Sequence, residues 1–299
     1  MQVIEDALHP RYDRAMNTPS KPVGDLLREW RQRRRMSQLE LALEAEISPK
    51  HLSFVETGRS APSRDMVLRL SQRLEIPLRE RNTVLIAAGY APMFPERALA
   101  DPALHAARQA VDLVLVGHEP YPALAVDRHW TMVAANGAVS PLLAGVDAGL
   151  LQAPVNVLRL SLHPQGLAPR IANLPEWRAH LLARLRRQVE VTADPLLAEL
   201  LRELSGYPIP IDPIEATTPR EFAGVLMPMQ LVTADGTLSF ISTTTMFGTP
   251  VDITLSELAL ESFFPADGAT AEALRRAAND RAAAAQAAEN TDQQKTRAP

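Results

Sequence analysis

The side chains best placed to do chemistry lie on the short segment 48–54. Ser48 can cap a helix whose first position suits Pro49. The apolar residues Leu52 and Val55, three apart, would point inward, so the remaining side chains point outward. These outward side chains are Lys50, His51, Ser53 and Phe54. They combine hydrogen-bonding groups with one apolar ring, a set that could contact the edges of DNA bases.

A second short helix precedes this segment and would position it. Ser37 is a cap residue, Gln38 follows it, and an apolar face forms at Leu41, Ala42 and Ala45. Between the two helices, Ile47 can fill the inside of a tight turn. The sequence therefore predicts a helix-turn-helix.

Three more helices would complete an all-α, five-helix domain at 21–90. One precedes the pair, beginning near Val23. The recognition segment ends before Gly58, which is placed for a left-handed C-cap, and a helix then follows Pro62 and Ser63 with Val67, Leu70 and Leu74 inside. The last helix covers 78–88 and ends at Gly89.

The charge of this region favours DNA as its partner. From Lys21 to Arg81 there are 13 basic and 9 acidic residues, whereas the whole chain carries a net charge of −4. A local basic excess on an acidic protein is typical of a phosphate-binding module. Arg59 and the run Arg33–Arg35 are candidate phosphate contacts. The arginine run could equally be a solvated helix end.

The order SQ…LA…A…I-S…L-S…E-x-G-R…P-S resembles the XRE (Cro/C1-like) family of helix-turn-helix regulators. The resemblance implies that the helix after the turn lies in the major groove of double-stranded DNA. It also implies a homodimer on a pseudo-palindromic operator. The DNA-contacting positions would be Gln38, Ser48, Pro49, Lys50, His51, Ser53, Phe54 and Arg59. Pro49 and Phe54 depart from the polar residues common in the family, so Phe54 could instead press on a thymine methyl group.

The length of 299 residues, 46% of them hydrophobic, fits two domains. The first 20 residues are expected to be an N-terminal extension without a secretory pattern, and Met16 could be the true start. No apolar run approaches the ~20 residues of a membrane span. Because the N-terminus has no signal pattern, we expect a cytoplasmic protein. The absence of cysteine excludes disulfides and thiol catalysis. Residues 91–103, with three prolines, are predicted to form an ordered linker.

Beyond the linker, the pattern predicts an α+β domain with an antiparallel sheet at 104–267. Helices are expected at 103–117, 136–143 (short), from Asn173 with Glu176 completing a capping box, and from Asp194 to Gly206. Strands are expected at 121–126, 129–134, 222–232 and 237–246, the last two joined through Asp235-Gly236. Residues 144–153 and 207–219 read as loops. Residues 258–264 fit a strand or a short helix, and 268–299 a partly helical to disordered tail.

An enzyme is not predicted for this second domain. No lysine lies between Lys50 and Lys295, which excludes a Ser-Lys dyad and a pyridoxal-phosphate Schiff base there. The chain contains no HExxH, G-x-S-x-G, Walker A or dinucleotide-binding motif, and no histidine pair with metal-binding spacing. No cofactor or metal is therefore expected.

A ligand is the alternative use of this domain. Arg159, His163, Arg170 and Asn173 cluster around a loop-to-helix entry and could hold a carboxylate, although they could also be ordinary loop and cap residues. Large apolar side chains could line a pliable cavity or simply form the core. These side chains are Trp130, Met132, Leu158, Trp177, Met227, Met229, Phe240, Met246 and Phe247.

The stretches HEPYPALAVDRHWTMVAAN, NVLRLSLHPQGLAPRIANLPEWRAHLLARLRRQ and TLSFISTTTMFGTPVDITLSELALESFFPAD resemble the MmyB-like ligand-binding domain family over residues 104–267. The resemblance implies a PAS-like, five-stranded antiparallel sheet around an apolar cavity suited to a fatty acid or similar small molecule. Residues 243–248 would lie near its mouth. A domain that only dimerises or docks a protein partner is the alternative.

Overall fold

The computed structural model describes residues 21–209, 227–234, 236–247 and 252–297, with side chains described to residue 287. The N-terminal extension, most of the predicted loop 207–219, the first part of the strand predicted at 222–232, and Asp235 lie outside the described residues.

Five helices form the first domain, as predicted: α1 (Val23–Arg33), α2 (Gln38–Glu44), α3 (Pro49–Glu56), α4 (Arg64–Arg73) and α5 (Leu78–Ala87). Ser37 caps α2 in a full capping box with Glu40, and Ser48 and Ser63 cap α3 and α4. These caps satisfy backbone amides that lack a partner at a helix start. The predicted inward residues Leu41, Leu52, Val55, Val67 and Leu70 are fully buried in one core.

The linker is ordered by contacts with both domains. Asn82 of α5 accepts hydrogen bonds from the backbone amides of Met93 and Phe94. On the other side, the carbonyl of Pro95 accepts from the amide of Ile253, 2.9 Å away. Helix α6 (His105–Gly117) then begins the second domain.

The second domain contains a five-stranded antiparallel sheet, which confirms the predicted fold class. Its strands are β1 (Ala123–Val126), β2 (Met132–Ala135), β3 (Met229–Thr233), β4 (Gly236–Met246) and β5 (Ala259–Pro265), and they lie in the order β2-β1-β5-β4-β3. The first and last strands of the domain are therefore neighbours, with Ala125 opposite Leu260. A single-turn helix, α10 (Ile253–Ser256), precedes β5.

Helices cover both faces of this sheet. Helices α7 (Val157–Leu162), α8 (Leu174–Thr192) and α9 (Pro195–Ser205) share the main core with one face, which includes Leu124, Leu231 and Phe240. Helix α6 packs Val111 and Leu115 against Ala123 and Ala125 on the other face. Successive strand residues point to opposite faces, so β1 contributes to both clusters.

Two local predictions need correction. Asn173 precedes α8, but its side chain makes no cap; it hydrogen-bonds the carbonyl of Pro228 and the amide of Gln230. The expected short helix at 136–143 is only a 3₁₀ turn at Ser140–Leu143, and a second such turn, Ala148–Leu151, interrupts the predicted loop.

The C-terminal tail is more helical than predicted. Helix α11 runs from Gly268 to Arg297, and its first turns reach the core through Ala271 and Leu274. Alanine, glutamine and arginine are strong helix formers, and they are frequent in the rest of this helix.

Candidate functional site

Helix α3 presents the predicted polar face to the outside. Lys50 is exposed, and its ammonium lies 5.7 Å from the centre of the Phe54 ring. The guanidinium of Arg59, just beyond the helix, lies 5.9 Å from the same ring. The two cations therefore flank one aromatic side chain. Together Lys50, Phe54 and Arg59 form a positively charged, partly apolar surface, which we call the reading face.

Other predicted contact residues are more constrained. The hydroxyl of Ser48 accepts from the amide of His51 as the helix cap. The His51 ring is half-buried, and its Nε2 is buried without a hydrogen-bond partner in the described residues.

Gln38 hydrogen-bonds to a buried ion pair between Arg31 of α1 and Glu56 at the end of α3. Its side-chain amide donates to Oε2 of Glu56 at 2.8 Å, while Arg31 donates to both Glu56 oxygens at 2.7 and 2.9 Å. Burial alone would raise the pKa of the Glu56 carboxyl. The hydrogen bonds from Arg31 and Gln38 and the charges of Arg31 and Arg28 outweigh it, so that pKa is lowered. This network joins α1, α2 and the end of α3.

One arginine of the run 33–35 is hydrogen-bonded within the protein. Arg34 donates to the carbonyls of Leu74 and Glu75, at the end of α4. Arg33 lines a cleft of about 310 Å³ between the two domains, together with Glu80 and Arg128. Arg33 and Arg35 are both exposed, so both stay candidate phosphate contacts of this run.

The second domain contains an apolar cavity of about 100 Å³ between the sheet and helices α7 and α8. Six of the large apolar side chains expected at a cavity do line it: Trp130, Met132, Leu158, Trp177, Met229 and Phe240. Three others do not. Met227 and Met246 are exposed, and Phe247 packs with the cluster on the opposite face of the sheet.

A polar group that the sequence did not reveal lies at one side of this cavity. Arg184 of α8 and Glu261 of β5 both line it, with Nη1–Oε2 and Nη2–Oε1 distances of 3.1 and 2.5 Å. The Arg184 guanidinium also lies 4.5 Å from the centre of the Trp130 ring and donates to the hydroxyl of Thr244. Of the predicted mouth segment 243–248, Thr244 thus reaches a cavity-lining side chain.

The predicted carboxylate anchors do not line the cavity. Arg159 forms a bidentate pair with Glu203 at 2.7 Å on the surface. Arg170 donates to the carbonyls of Leu142, Ala144 and Val232. His163 packs edge-on against Tyr207. Together with Asn173, these residues have partners within the protein and lie outside the lining of this cavity.

Ion pairs join the two domains beside the linker. Arg79 of α5 contacts Glu257, which precedes β5, through Nε–Oε1 and Nη2–Oε2 distances of 2.9 Å, and it also binds Glu96 of the linker. Burial would lower the pKa of Arg79, but the two carboxylates raise it. Arg128, two residues before Trp130, lies 3.8 Å from Glu257 and 3.7 Å from Asp194. This group therefore connects α5 with the segments that carry Trp130 and Glu261.

No cluster of potential metal ligands occurs among the described residues, and no described helix has the length and hydropathy needed to cross a membrane.

Two family models match the chain. The model described as MmyB-like transcription regulator ligand binding domain matches residues 107–277, and the model described as helix-turn-helix matches residues 27–81. Among solved structures, the clp gene regulator ClgR from Corynebacterium glutamicum matches at 28% identity, covering 33% of this chain and 90% of that chain, with a TM-score of 0.20. No curated protein matches.

Proposed function

The chain belongs to the family defined by the MmyB-like transcription regulator ligand binding domain and is a DNA-binding transcription regulator; from this premise we propose that a small ligand in the second domain controls operator binding by the first. The observation that carries the proposal is the apolar cavity, which lies in the matched domain.

The DNA side of the proposal rests on the reading face. Lys50, Phe54 and Arg59 stand together on the outer side of α3 and beyond its end. In helix-turn-helix proteins the second helix of the pair enters the major groove and reads one half-site. We therefore place Lys50 at base edges and Arg59 at phosphates. A homodimer would bring two reading faces to a pseudo-palindromic operator.

The ligand side rests on the shape and lining of the cavity. The sheet order places β5 between β1 and β4, an arrangement that we interpret as PAS-like, and the cavity lies on its helix-covered face. Met132 and Met229 give its wall flexible thioethers. Because an engineered cavity of ~150 Å³ holds benzene, a cavity of about 100 Å³ suits a small apolar group in this conformation. A long fatty acyl chain would require the wall to move.

The ion pairs at the domain junction would transmit the effect of ligand binding to the DNA-binding domain. Trp130 and Glu261 line the cavity, and Arg128 and Glu257 lie two and four residues before them in the chain. Arg79 binds Glu257 from the last helix of the DNA-binding domain. A ligand that shifts either strand end would thus alter contacts with α5. A preference of about 1 to 3 kcal/mol for one arrangement would change operator affinity roughly 5- to 150-fold.

A protein-docking role for the second domain remains the alternative function. Helix α6 exposes Leu113 by 74% and Val116 by 60%, and large apolar side chains at such exposure are typical of contact surfaces. This surface could serve dimerisation whether or not the cavity binds a ligand.

The test begins with an operator selected from random double-stranded DNA by the full-length protein. Small apolar and amphipathic compounds, fatty acids included, are then screened for a shift in melting temperature and for a change in operator affinity. We expect at least one compound to do both, and Leu158→Trp, which fills the cavity, to abolish both effects. If no compound acts while the protein still dimerises and binds the operator, the docking function is favoured.

A further inference from the structure

Two oppositely charged side chains, Arg184 and Glu261, line the cavity and pair with each other. The side chains of Arg184 and Glu261 are exposed by only 24% and 5%, and each Glu261 oxygen accepts a hydrogen bond from a different Arg184 nitrogen. The hydroxyl of Thr244 accepts from Arg184 and donates to Glu261. The pair is therefore fully formed inside the protein, and the charges that line the cavity sum to zero.

The other polar residues that line the cavity are uncharged. Ser161 and Ser242 are the other polar residues in the cavity wall, and the hydroxyl of Ser161 accepts from Nε1 of Trp177. The nearby arginines Arg159 and Arg170 are held by Glu203 and by backbone carbonyls. Among the described residues that line the cavity, no cation is left over to neutralise an incoming carboxylate.

A charged ligand would therefore be penalised at this site. A carboxylate near Arg184 would also lie near Glu261, where water is largely excluded and like charges repel strongly. An ammonium near Glu261 would meet Arg184 in the same way. A hydroxyl or amide can instead donate to a free lone pair of Glu261 and needs no counter-ion.

We propose that the ligand is a small uncharged amphiphile, with an apolar body in the cavity and a hydroxyl or amide end that hydrogen-bonds to the Arg184–Glu261 pair. This inference rests on the proposed ligand-sensing function and names the ligand class for that same cavity. The pair acts as a selectivity device because an anionic or cationic end must first break it.

The experiment compares three probes that share one apolar body: 1-hexanol, hexanoate and hexylamine. Binding to the full-length protein at pH 7.5 is measured by titration calorimetry and by tryptophan fluorescence, since Trp130 and Trp177 line the cavity. We expect 1-hexanol to bind about tenfold or more tightly than either charged probe, as desolvated like charges disfavour both.

Two variants move the selectivity in opposite directions. Glu261→Gln leaves Arg184 without its counter-charge, so hexanoate should become the preferred probe. Arg184→Gln leaves Glu261 uncompensated and should favour hexylamine. Glu203→Gln is the matched control, since it frees Arg159 on the surface and should leave the order of the probes unchanged.

The order of probe affinities for the wild-type protein tests the inference even if a variant fails to fold. Hexanoate binding more tightly than 1-hexanol to the wild type would overturn the inference and leave the sensor function standing. A reversal of the order in Glu203→Gln would also overturn it, because the anchor would then be Arg159. Failure of all three probes to bind any of the proteins would count against the sensor function itself.

Discussion

Arg79 and Glu257 lie 178 residues apart in the chain and meet side by side, with two nitrogens of one 2.9 Å from two oxygens of the other. Both side chains are less than a fifth exposed. Since one belongs to the DNA-binding domain and the other precedes the central strand of the second domain's sheet, this pair joins the two domains directly.

Loss of the Arg79 charge should loosen the domain junction. Arg79→Gln leaves Glu257 and Glu96 without their shared partner, and we expect local opening to become easier by about 1 to 2 kcal/mol, roughly 5- to 30-fold. The measurement is the rate of tryptic cleavage at Arg97 in the linker. Arg69→Gln on α4, which removes an exposed arginine of the same domain, should leave the rate unchanged. Equal rates for wild type and Arg79→Gln would show that the pair does not hold the junction.

Lys50 is expected to read bases. Lys50→Ala should weaken binding to a selected operator by about 1 to 3 kcal/mol and should weaken binding to random DNA much less. Arg59→Ala should weaken binding to both and reduce the salt dependence, as expected for a phosphate contact. Fluorescence anisotropy at several salt concentrations measures both effects. Arg108→Ala, which removes an exposed charge from α6, serves as the control. An equal loss on both DNAs for Lys50→Ala would exclude base reading.

Glu56 should be the most sensitive charged residue of the first domain. Glu56→Gln keeps the size of the side chain but leaves Arg31 buried without a counter-charge, which typically costs about 3 to 5 kcal/mol. Urea unfolding measures the loss. Glu44→Gln on the exposed face of α2 should change stability by less than about 0.5 kcal/mol. Similar values for the two variants would contradict the stabilising role of the pair.

The same carboxyl predicts a pH dependence. The pKa of Glu56 is lowered in the folded protein, so its contribution to stability is complete above the ordinary glutamate pKa of ~4.3. It is lost as the pH falls through the lower folded value. The stability difference between wild type and Glu56→Gln should therefore be constant from pH 6 to 8 and shrink below about pH 4. A difference that stays constant at low pH would be inconsistent with this shift.

Ala193 ends α8 in a left-handed conformation, with φ +60°. This conformation costs an L-residue about 1 to 2 kcal/mol, more than the entropic cost of glycine. Ala193→Gly should therefore raise stability by up to about 1 kcal/mol. Ala183→Gly, inside the same helix, should lower it by a similar amount. Thermal unfolding of both variants should show shifts of opposite sign, and a shared sign would refute the argument.

The first domain could be predicted almost completely because its signals are local. Ser37, Ser48 and Ser63 cap the helices that they precede, and Gly58 and Gly89 have the positive φ expected after a helix. Each cap or helix end depends on atoms within a few residues of it, so the spacing of residues in the sequence was sufficient to predict it.

The polar side of the cavity could not be predicted because it exists only after folding. Arg184 lies within a helix with several arginines, and Glu261 on a strand that could have been a short helix. Their pairing needs β5 beside β4 and α8 across the sheet. The predicted Asn173 cap is absent for a related reason. The Asn173 side chain hydrogen-bonds to a buried carbonyl and a buried amide in a distant segment, at Pro228 and Gln230, and not to the helix amides.

The strand order has a consequence during synthesis. Strand β5 occupies the centre of the sheet, yet it is the last strand to leave the ribosome, and β1 pairs with it and β2 alone. The five helices of the DNA-binding domain end at Ala87, so this domain can fold as soon as it emerges. A nascent chain therefore has a complete DNA-binding domain well before it has a cavity, and any control by a ligand begins only when translation has passed residue 265.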